Sequence, residues 1–220
     1  MFRMTVGSIN KLILWGVGTP RTMRAHWALH ELSLAYETMP IGSRTGETQT
    51  AAFSALNPRQ KIPVLQDGDF TIAESPAIIS YLAEAYKNAS MPLLPVGHNA
   101  RARWQEWSFY ITAELDATLY VIRRHSGLSE IYGEAPTAVD AAKTYFVQQL
   151  RYADRVLSSD GPFLMGDDFT TADILLVTCL NWAIMRDVPV HEGCRAYLER
   201  VMSREAYQTA TAANLATQKK

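Results

Sequence analysis

The chain has 220 residues, a formal net charge of −1 and an apolar fraction of 48%. This length accommodates one or two domains with a sizeable core. The near-neutral charge argues against a nucleic-acid-binding surface, and the apolar content argues against a long disordered region. The two cysteines, Cys179 and Cys194, have neither a CxxC nor a zinc spacing, and no apolar run approaches the ~20 residues needed to span a membrane. We therefore expect a reduced, cytoplasmic protein without a membrane partner.

The first third of the chain predicts alternating strands and helices. Residues 1–10 lack the plan of a signal peptide and are expected to form a frayed tail. The apolar run 11–17 predicts a buried strand, and Thr19 followed by Pro20 predicts a helix start with Thr19 as its cap. A second strand is expected over 36–41. Residues 42–56, by contrast, are polar and irregular, with at most one weak helical turn.

Residues 57–79 predict a hairpin followed by a helix. Strands over 62–66 and 70–73 flank an Asp-Gly-Asp turn, which is a strong hairpin signal. Ser75 before Pro76 is typical of a helix N-terminus, with the serine hydroxyl as cap. The resulting order, β-α-β and then β-β-α, indicates an α/β unit with a mixed sheet.

Everything after residue 99 reads as helix. We expect a first domain over 1–87, a proline-containing linker over 88–99 and an all-helical domain over 100–220. Within the last, Thr170 and Asp173 form a capping box that opens an apolar, buried helix. The other expected helices cover 100–124, 137–157 and one or two segments of 191–207.

One group of motifs resembles a known family. Asn57-Pro58, Lys61 to Leu65, Asp67-Gly68 and Glu74 to Ile78 are similar to the glutathione-binding half of the cytosolic glutathione transferases, and to the theta, delta, zeta and bacterial members most. The capping box extends the resemblance into the helical half. The resemblance implies a thioredoxin-like α/β N-terminal domain and an all-α helical-bundle C-terminal domain. It also implies glutathione as co-substrate, a small hydrophobic electrophile, a role in detoxification and a homodimer, with no metal.

Thr19 is the predicted catalytic residue, because this family holds the glutathione sulfur as a thiolate. Lowering a thiol pKa of about 8.5 by about two units requires about 2.7 kcal/mol. A helix N-terminus supplies roughly 0.3–1 kcal/mol, up to about 2, so a hydroxyl donating to the sulfur is needed as well. Thr22 is the reserve hydroxyl. The theta- and delta-like serine position is occupied by Gly18, and plain capping by Thr19 is the alternative.

The resemblance also implies which residues bind glutathione. Glu74 and Ser75 match the residues that bind the γ-glutamyl end, and Lys61 matches a lysine at the glycyl carboxylate. Ile62 is expected to act through its backbone, turned outward if the bond to Pro63 is cis. Gln49 is a weaker prediction, near the place of a theta-like histidine.

The second substrate is expected against the helix that begins near residue 100. One face of that helix collects Arg103, Tyr110, Tyr120 and Arg124, with alanines between the tyrosines. Small residues between aromatic ones leave room for a ligand, and the arginines attract an anionic or nitro-bearing one. An interdomain or dimer surface explains the same face equally well.

Other functions remain open at this stage. His26 and His30 are spaced i, i+4 but lack a third ligand, so we expect surface or interface histidines rather than a metal site. Another glutathione-dependent enzyme, such as a peroxidase, dehalogenase or isomerase, is one alternative to a transferase. The other is a transferase-like interaction module without catalysis, which Gly18 favours and the intact Lys61, Glu74 and Ser75 oppose.

Overall fold

The computed structural model describes residues 11–87, 92–159 and 161–215. The predicted tail over 1–10 and the first part of the predicted linker, 88–91, lie outside the described residues. The N-terminal elements are β1 (Leu12–Trp15), α1 (Pro20–Glu31), β2 (Tyr36–Met39), a 3-10 turn (Glu47–Gln49), α2 (Ala51–Leu56), β3 (Val64–Asp67), β4 (Phe70–Ala73) and α3 (Ser75–Ala85).

The remaining described elements are helical apart from two isolated β-bridges near residue 165. They are α4 (His98–Tyr110), a π-helical segment (Ile111–Asp116), α5 (Ala117–His125), α6 (Ser129–Tyr132), α7 (Pro136–Ser159), α8 (Thr171–Ile184), α9 (Glu192–Met202) and α10 (Glu205–Leu215). The predicted thioredoxin-like α/β unit followed by a helical bundle is confirmed.

The four strands form one mixed sheet in the order β2-β1-β3-β4. β1 pairs in parallel with β2 and antiparallel with β3, and β3 and β4 form the predicted hairpin. Leu12 and Leu14 of β1 are buried. Helices α1 and α3 contact each other. The parallel β1–β2 pair requires the α1 crossover between them, which places the N-terminus of α1 at the end of β1.

Helix α1 is more deeply buried than its apolar stripe predicts. The predicted core face is buried, but Arg24, His26 and Trp27 on its other faces are buried too. The cause is tertiary, because α1 packs against α3, α8 and α10 together. The expectation that His26 lies at a surface or an interface is therefore wrong, because its side chain is fully buried within the chain. Its ring nitrogens lie 2.7 Å from the Tyr36 hydroxyl and 3.2 Å from the Gly16 carbonyl oxygen.

The long helix of the second half is continuous but irregular. Its predicted apolar stripe is buried at every position: Trp104, Trp107, Ile111, Leu115, Leu119 and Ile122. Between α4 and α5 the backbone widens into a π-helical turn, where the Ala117 N–H donates to the Thr112 carbonyl. Such turns are rare and often lie at functional sites. This one ends at Asp116, a buried carboxylate that contacts α1.

The predicted capping box at the start of α8 is present. Thr170 accepts from the Ala172 N–H, and Asp173 accepts from the Thr170 N–H at 2.8 Å. Asp173 also accepts from the Leu164 N–H and the Tyr197 hydroxyl. The pKa of Asp173 is raised by burial, although these donors oppose the rise. The box therefore anchors a loop and α9 as well as opening the helix.

Candidate functional site

A single cleft collects most of the predicted site residues. Its volume is about 980 Å³, and it lies between the end of β1, the loop before β3, the start of α3 and the π-helical and α5 region. The predicted residues that line it are Thr19, Gln49, Lys61, Ile62, Pro63, Glu74, Ser75, Tyr120 and Arg124. A cleft of this size accommodates a peptide-sized ligand together with a second molecule.

Thr19 lies at the point where the cleft meets the N-terminus of α1. Its Oγ1 accepts from the Thr22 N–H at 3.0 Å, so it caps the helix as the sequence predicts. The side chain remains half-buried and lines the cleft. The hydroxyl has one proton and two lone pairs. Because Thr19 Oγ1 also lies 3.0 Å from Thr22 Oγ1, a ligand at Thr19 competes with Thr22 for that proton. Thr19 thus presents a donor and a helix N-terminus to the same point in the cleft.

Thr22 is not available as a reserve hydroxyl. It is fully buried and lies outside the cleft lining. Its Oγ1 accepts from the Thr19 N–H at 3.0 Å and donates to Asn214 Oδ1 at 2.7 Å. Thr22 completes the capping box around Thr19, and the structure does not bring its hydroxyl to the cleft.

Asn214 is a site residue that sequence reasoning missed. It lies in α10, yet its Oδ1 accepts from the Gly18 N–H at 3.1 Å and from Thr22, while its Nδ2 donates to the Thr19 carbonyl at 3.3 Å. Its own carbonyl accepts from the Gly18 N–H as well. A sequence separation of 196 residues gives no local signal. The last described helix therefore fixes the loop that carries the predicted catalytic hydroxyl.

The loop before β3 presents Lys61 and Ile62 to the cleft. The Ile62–Pro63 peptide bond is cis, an outcome that the sequence left open. Asn57 is buried; its Nδ2 donates to the Lys61 carbonyl at 2.8 Å, and its Oδ1 accepts from the Arg59 N–H. Asn57 thereby holds the loop in place while the Lys61 side chain remains exposed.

Glu74 and Ser75 lie together at the N-terminus of α3. Glu74 has φ +70°, a conformation that costs energy for a residue with a Cβ and is held by its surroundings. Its carboxylate pairs with Arg59 at 2.5 Å. Ser75 is the first residue of the helix rather than its cap, and no side chain caps this end. The prediction that the Ser75 hydroxyl caps the helix is wrong, and this N-terminus keeps unpaired N–H groups.

The Ser75 hydroxyl contacts a buried ion pair instead. Arg24 Nη1 donates to Ser75 Oγ at 3.3 Å, and Arg24 Nη2 pairs with Asp116 at 2.6 Å. Arg21 also pairs with Asp116 and is half-buried in the cleft wall. Burial raises the pKa of Asp116, but the charges of Arg24 and Arg21 and their hydrogen bonds outweigh it, so that the pKa falls below its usual value. This network joins α1, α3 and the π-helical turn beneath the cleft.

The predicted second-substrate face is divided by the structure. Tyr120 and Arg124 line the cleft, but Arg103 and Tyr110 do not. Arg103 pairs with Glu106 on the exposed side of α4, and the Tyr110 hydroxyl donates to the Gln149 carbonyl inside the bundle. The structure does not bring those two residues to the cleft, because the π-helical turn interrupts the regular spacing.

Gln49 lies at the edge of the cleft, where its Nε2 donates to Thr48 Oγ1 at 2.7 Å. Across residues 11–87, 92–159 and 161–215, no cluster of three or more His, Cys, Asp or Glu side chains is arranged to hold a metal ion. None of the helices in those ranges combines the length and the apolar character needed to cross a membrane.

Two family models match this chain. The description "Glutathione S-transferase, N-terminal domain" matches residues 10–84, and "Glutathione S-transferase, C-terminal domain" matches residues 98–200. The protein belongs to the glutathione S-transferase family.

Individual relatives agree with this assignment. Glutathione S-transferase F14 of Arabidopsis thaliana is 30% identical, over 79% of this chain and 67% of that protein. The glutathione S-transferase-like protein gedE of Aspergillus terreus is 26% identical, over 87% of this chain and 90% of its own. Among solved structures, the theta class enzyme of Xanthomonas axonopodis pv. citri, with glutathione bound, has a TM-score of 0.78 and 27% identity, covering 92% of this chain and 97% of its own.

Proposed function

We propose that this protein is a glutathione transferase that binds glutathione in the cleft and activates its thiol at the N-terminus of α1. The observation that carries the proposal is Thr19, which caps α1 and lines the same cleft as Lys61, Ile62 and Ser75. The similar theta class structure with glutathione bound supports the choice of ligand.

The binding roles follow from the chemistry of the lining. The N–H groups at the start of α3, the Ser75 hydroxyl and the nearby Arg24 charge favour the γ-glutamyl carboxylate. The Glu74 carboxylate accepts a hydrogen bond from the γ-glutamyl ammonium group, and the Ile62 backbone forms hydrogen bonds with the extended peptide. Lys61, with Gln49 nearby, attracts the glycyl carboxylate. Glutathione then spans the cleft with its sulfur at Thr19.

In the chemical step the thiol gives up its proton to solvent. The thiolate sulfur then bonds to an electrophilic carbon as the bond from that carbon to its leaving group breaks, and the leaving group departs with the bonding electrons. Thr19 donates a hydrogen bond to the thiolate, while the start of α1 contributes its partial positive charge. The electrophile lies on the Tyr120 and Arg124 side of the cleft. Cytoplasmic detoxification by a homodimer completes the proposal. Family membership supports the cytoplasmic location and the detoxifying role. The homodimer is supported by Phe109, which is exposed beside an apolar groove of about 370 Å³ between α3 and α4.

The test is a pH titration of the thiolate absorbance of glutathione, with and without the protein. We expect the pKa of bound glutathione to fall by about 1–2 units from the ordinary thiol value of about 8.5. Turnover of a panel of neutral electrophiles should follow. Saturable binding with an unchanged pKa and no turnover would refute the transferase proposal and favour the interaction module, which Gly18 at the serine position already suggests.

A further inference from the structure

Positively charged side chains predominate on the Tyr120 and Arg124 side of the cleft. The acidic side chains in the cleft lining are Glu74 and Asp116, and both are already paired with arginines. Four further arginines line the cleft, and none has a carboxylate within ion-pair distance among the described residues: Arg44, Arg123, Arg124 and Arg186.

These four arginines, the arginine cluster, line one cleft in two contact groups, one at Tyr120 and one at Gly127. Arg44 Nη2 donates to the Tyr120 hydroxyl at 3.2 Å, and the Arg124 guanidinium lies over the Tyr120 ring at 4.4 Å. Arg123 Nη1 donates to the Gly127 carbonyl at 2.8 Å. A Cβ placed on Gly127 would meet the terminal nitrogens of both Arg123 and Arg186. A side chain at this position would displace both groups.

The hydrogen-bond donors of the cluster are not all paired within the described part of the protein. The Nε atoms of Arg124 and Arg186 are buried, and neither has a hydrogen-bond partner among the residues that the structure describes. A buried donor without an acceptor costs free energy, more so when it carries charge. The pKa of Arg123 is lowered by burial and by the charges of Arg186 and Arg44. An anion bound at the terminal nitrogens of the cluster would relieve this repulsion.

The walls around the cluster are aromatic and apolar. Tyr120, Tyr132, Trp182, Met185 and Leu128 line the same part of the cleft. Guanidinium groups over aromatic rings leave their edges free for planar, bidentate contact with a carboxylate. A ligand with a flat ring and an acidic group therefore matches this half of the cleft better than a purely hydrophobic one.

We propose that the second substrate is an aromatic electrophile bearing a carboxylate, which the arginine cluster binds while the ring lies against Trp182 and Met185. This inference rests on the proposed function. A representative reaction uses 4-chloro-3-nitrobenzoate. The thiolate sulfur bonds to C4, the C–Cl bond breaks, and chloride leaves with the bonding electrons. The carboxylate remains unchanged and stays bound to the cluster.

Equilibrium binding of synthetic conjugates tests the inference without requiring turnover. The probes are S-(4-carboxy-2-nitrophenyl)glutathione, its neutral carboxamide and S-methylglutathione, measured by calorimetry on the full chain. Because a charge-assisted pair in a half-open cleft is only moderately strong, we expect the acid to bind about tenfold more tightly than the amide. Raising the salt concentration should reduce this preference.

Substitutions of two cleft arginines test whether the arginine cluster causes the preference for the acid over the amide. Arg124→Gln and Arg186→Gln should each reduce the acid-to-amide preference by about threefold, with the affinity for S-methylglutathione unchanged. Arg151→Gln is the matched control, since Arg151 is exposed on α7 and does not line the cleft; it should keep the full preference.

The outcomes separate the two proposals. Equal binding of acid and amide, with S-methylglutathione bound normally, would overturn the anionic-substrate inference and leave the proposed function standing. Failure of S-methylglutathione to bind would overturn the proposed function, and this inference with it. A tenfold preference that survives both cleft variants would also overturn the assignment to the arginine cluster.

Discussion

Replacing Thr19 by alanine tests how the site lowers the pKa of a bound thiol. The hydroxyl caps α1 and faces the cleft, so the variant removes a donor to the sulfur and a cap together. A hydrogen bond to a charged partner contributes about 1.5–3 kcal/mol, and 1.36 kcal/mol corresponds to one pKa unit. Because Thr19 is only half-buried, the lower end applies. We expect the pKa of bound glutathione to rise by about one unit.

The assay is the pH titration of thiolate absorbance at saturating glutathione, with binding measured separately. Glutathione affinity should change little at a pH below the thiol pKa, because Ser75, Ile62 and the α3 N-terminus remain. The rate of conjugation at neutral pH should fall about three- to eightfold, in proportion to the lost thiolate. Thr19→Ser, which keeps the hydroxyl, should restore most of the pKa shift.

Loss of the cap alone should cost about 0.5–2 kcal/mol of stability. Thr170→Ala provides the matched control, since it removes a similar cap from α8. It should lower the stability without moving the pKa of bound glutathione. If Thr19→Ala leaves that pKa unchanged, the hydroxyl is only a cap and the proposed catalytic role is wrong.

Three further changes test other parts of the structure. Ser75→Ala should weaken glutathione binding by about tenfold or more with the bound thiol pKa unchanged, and calorimetry showing unaltered affinity would contradict its assignment. Asp116→Asn leaves Arg24 buried without its carboxylate, so chemical denaturation should show that the free energy of unfolding falls by about 3–5 kcal/mol. Glu106→Gln breaks an exposed pair and should change it by no more than about 1 kcal/mol. Equal losses in the two variants would refute the distinction between buried and exposed pairs. Burial lowers the pKa of His26 to about 4. Between pH 6.5 and 4 the unfolded chain therefore binds a proton that the native state does not. The free energy of unfolding should fall with falling pH in this range by up to about 1.4 kcal/mol per pH unit. His26→Gln should flatten that slope, and an unchanged slope would show that His26 is not its source.

The sequence predicted most of the local structure because the signals were short-range. The Asp67-Gly68 turn fixes the β3–β4 hairpin, and the pairing observed between those strands follows from it. The cap at Thr19 and the capping box at Thr170 place two helix starts correctly, since a cap involves residues within three positions. The buried stripe of the long helix is read directly from its periodicity.

The same reasoning failed where contacts are long-range or where the helix is irregular. Arg103 and Tyr110 were placed on the substrate face by extending a regular helix, and the π-helical turn interrupts that spacing. Ser75 was expected to cap α3, but a buried guanidinium from α1 lies against its hydroxyl. Neither feature has a signature in the neighbouring residues.

What the sequence alone determined is the family motif, the order of the elements and the residues around Thr19 and Ser75. Only the tertiary structure decided that Asn214 fixes the loop at Thr19, that Asp116 pairs with two arginines of α1, and that an arginine cluster forms the far wall of the cleft. The physical reason is sequence distance. Caps and turns depend on neighbouring residues, whereas the Asn214 and Asp116 contacts join segments about 90 to 200 residues apart. Arg44 likewise reaches Tyr120 across 76 positions, and only the packing of the two halves brings these groups together.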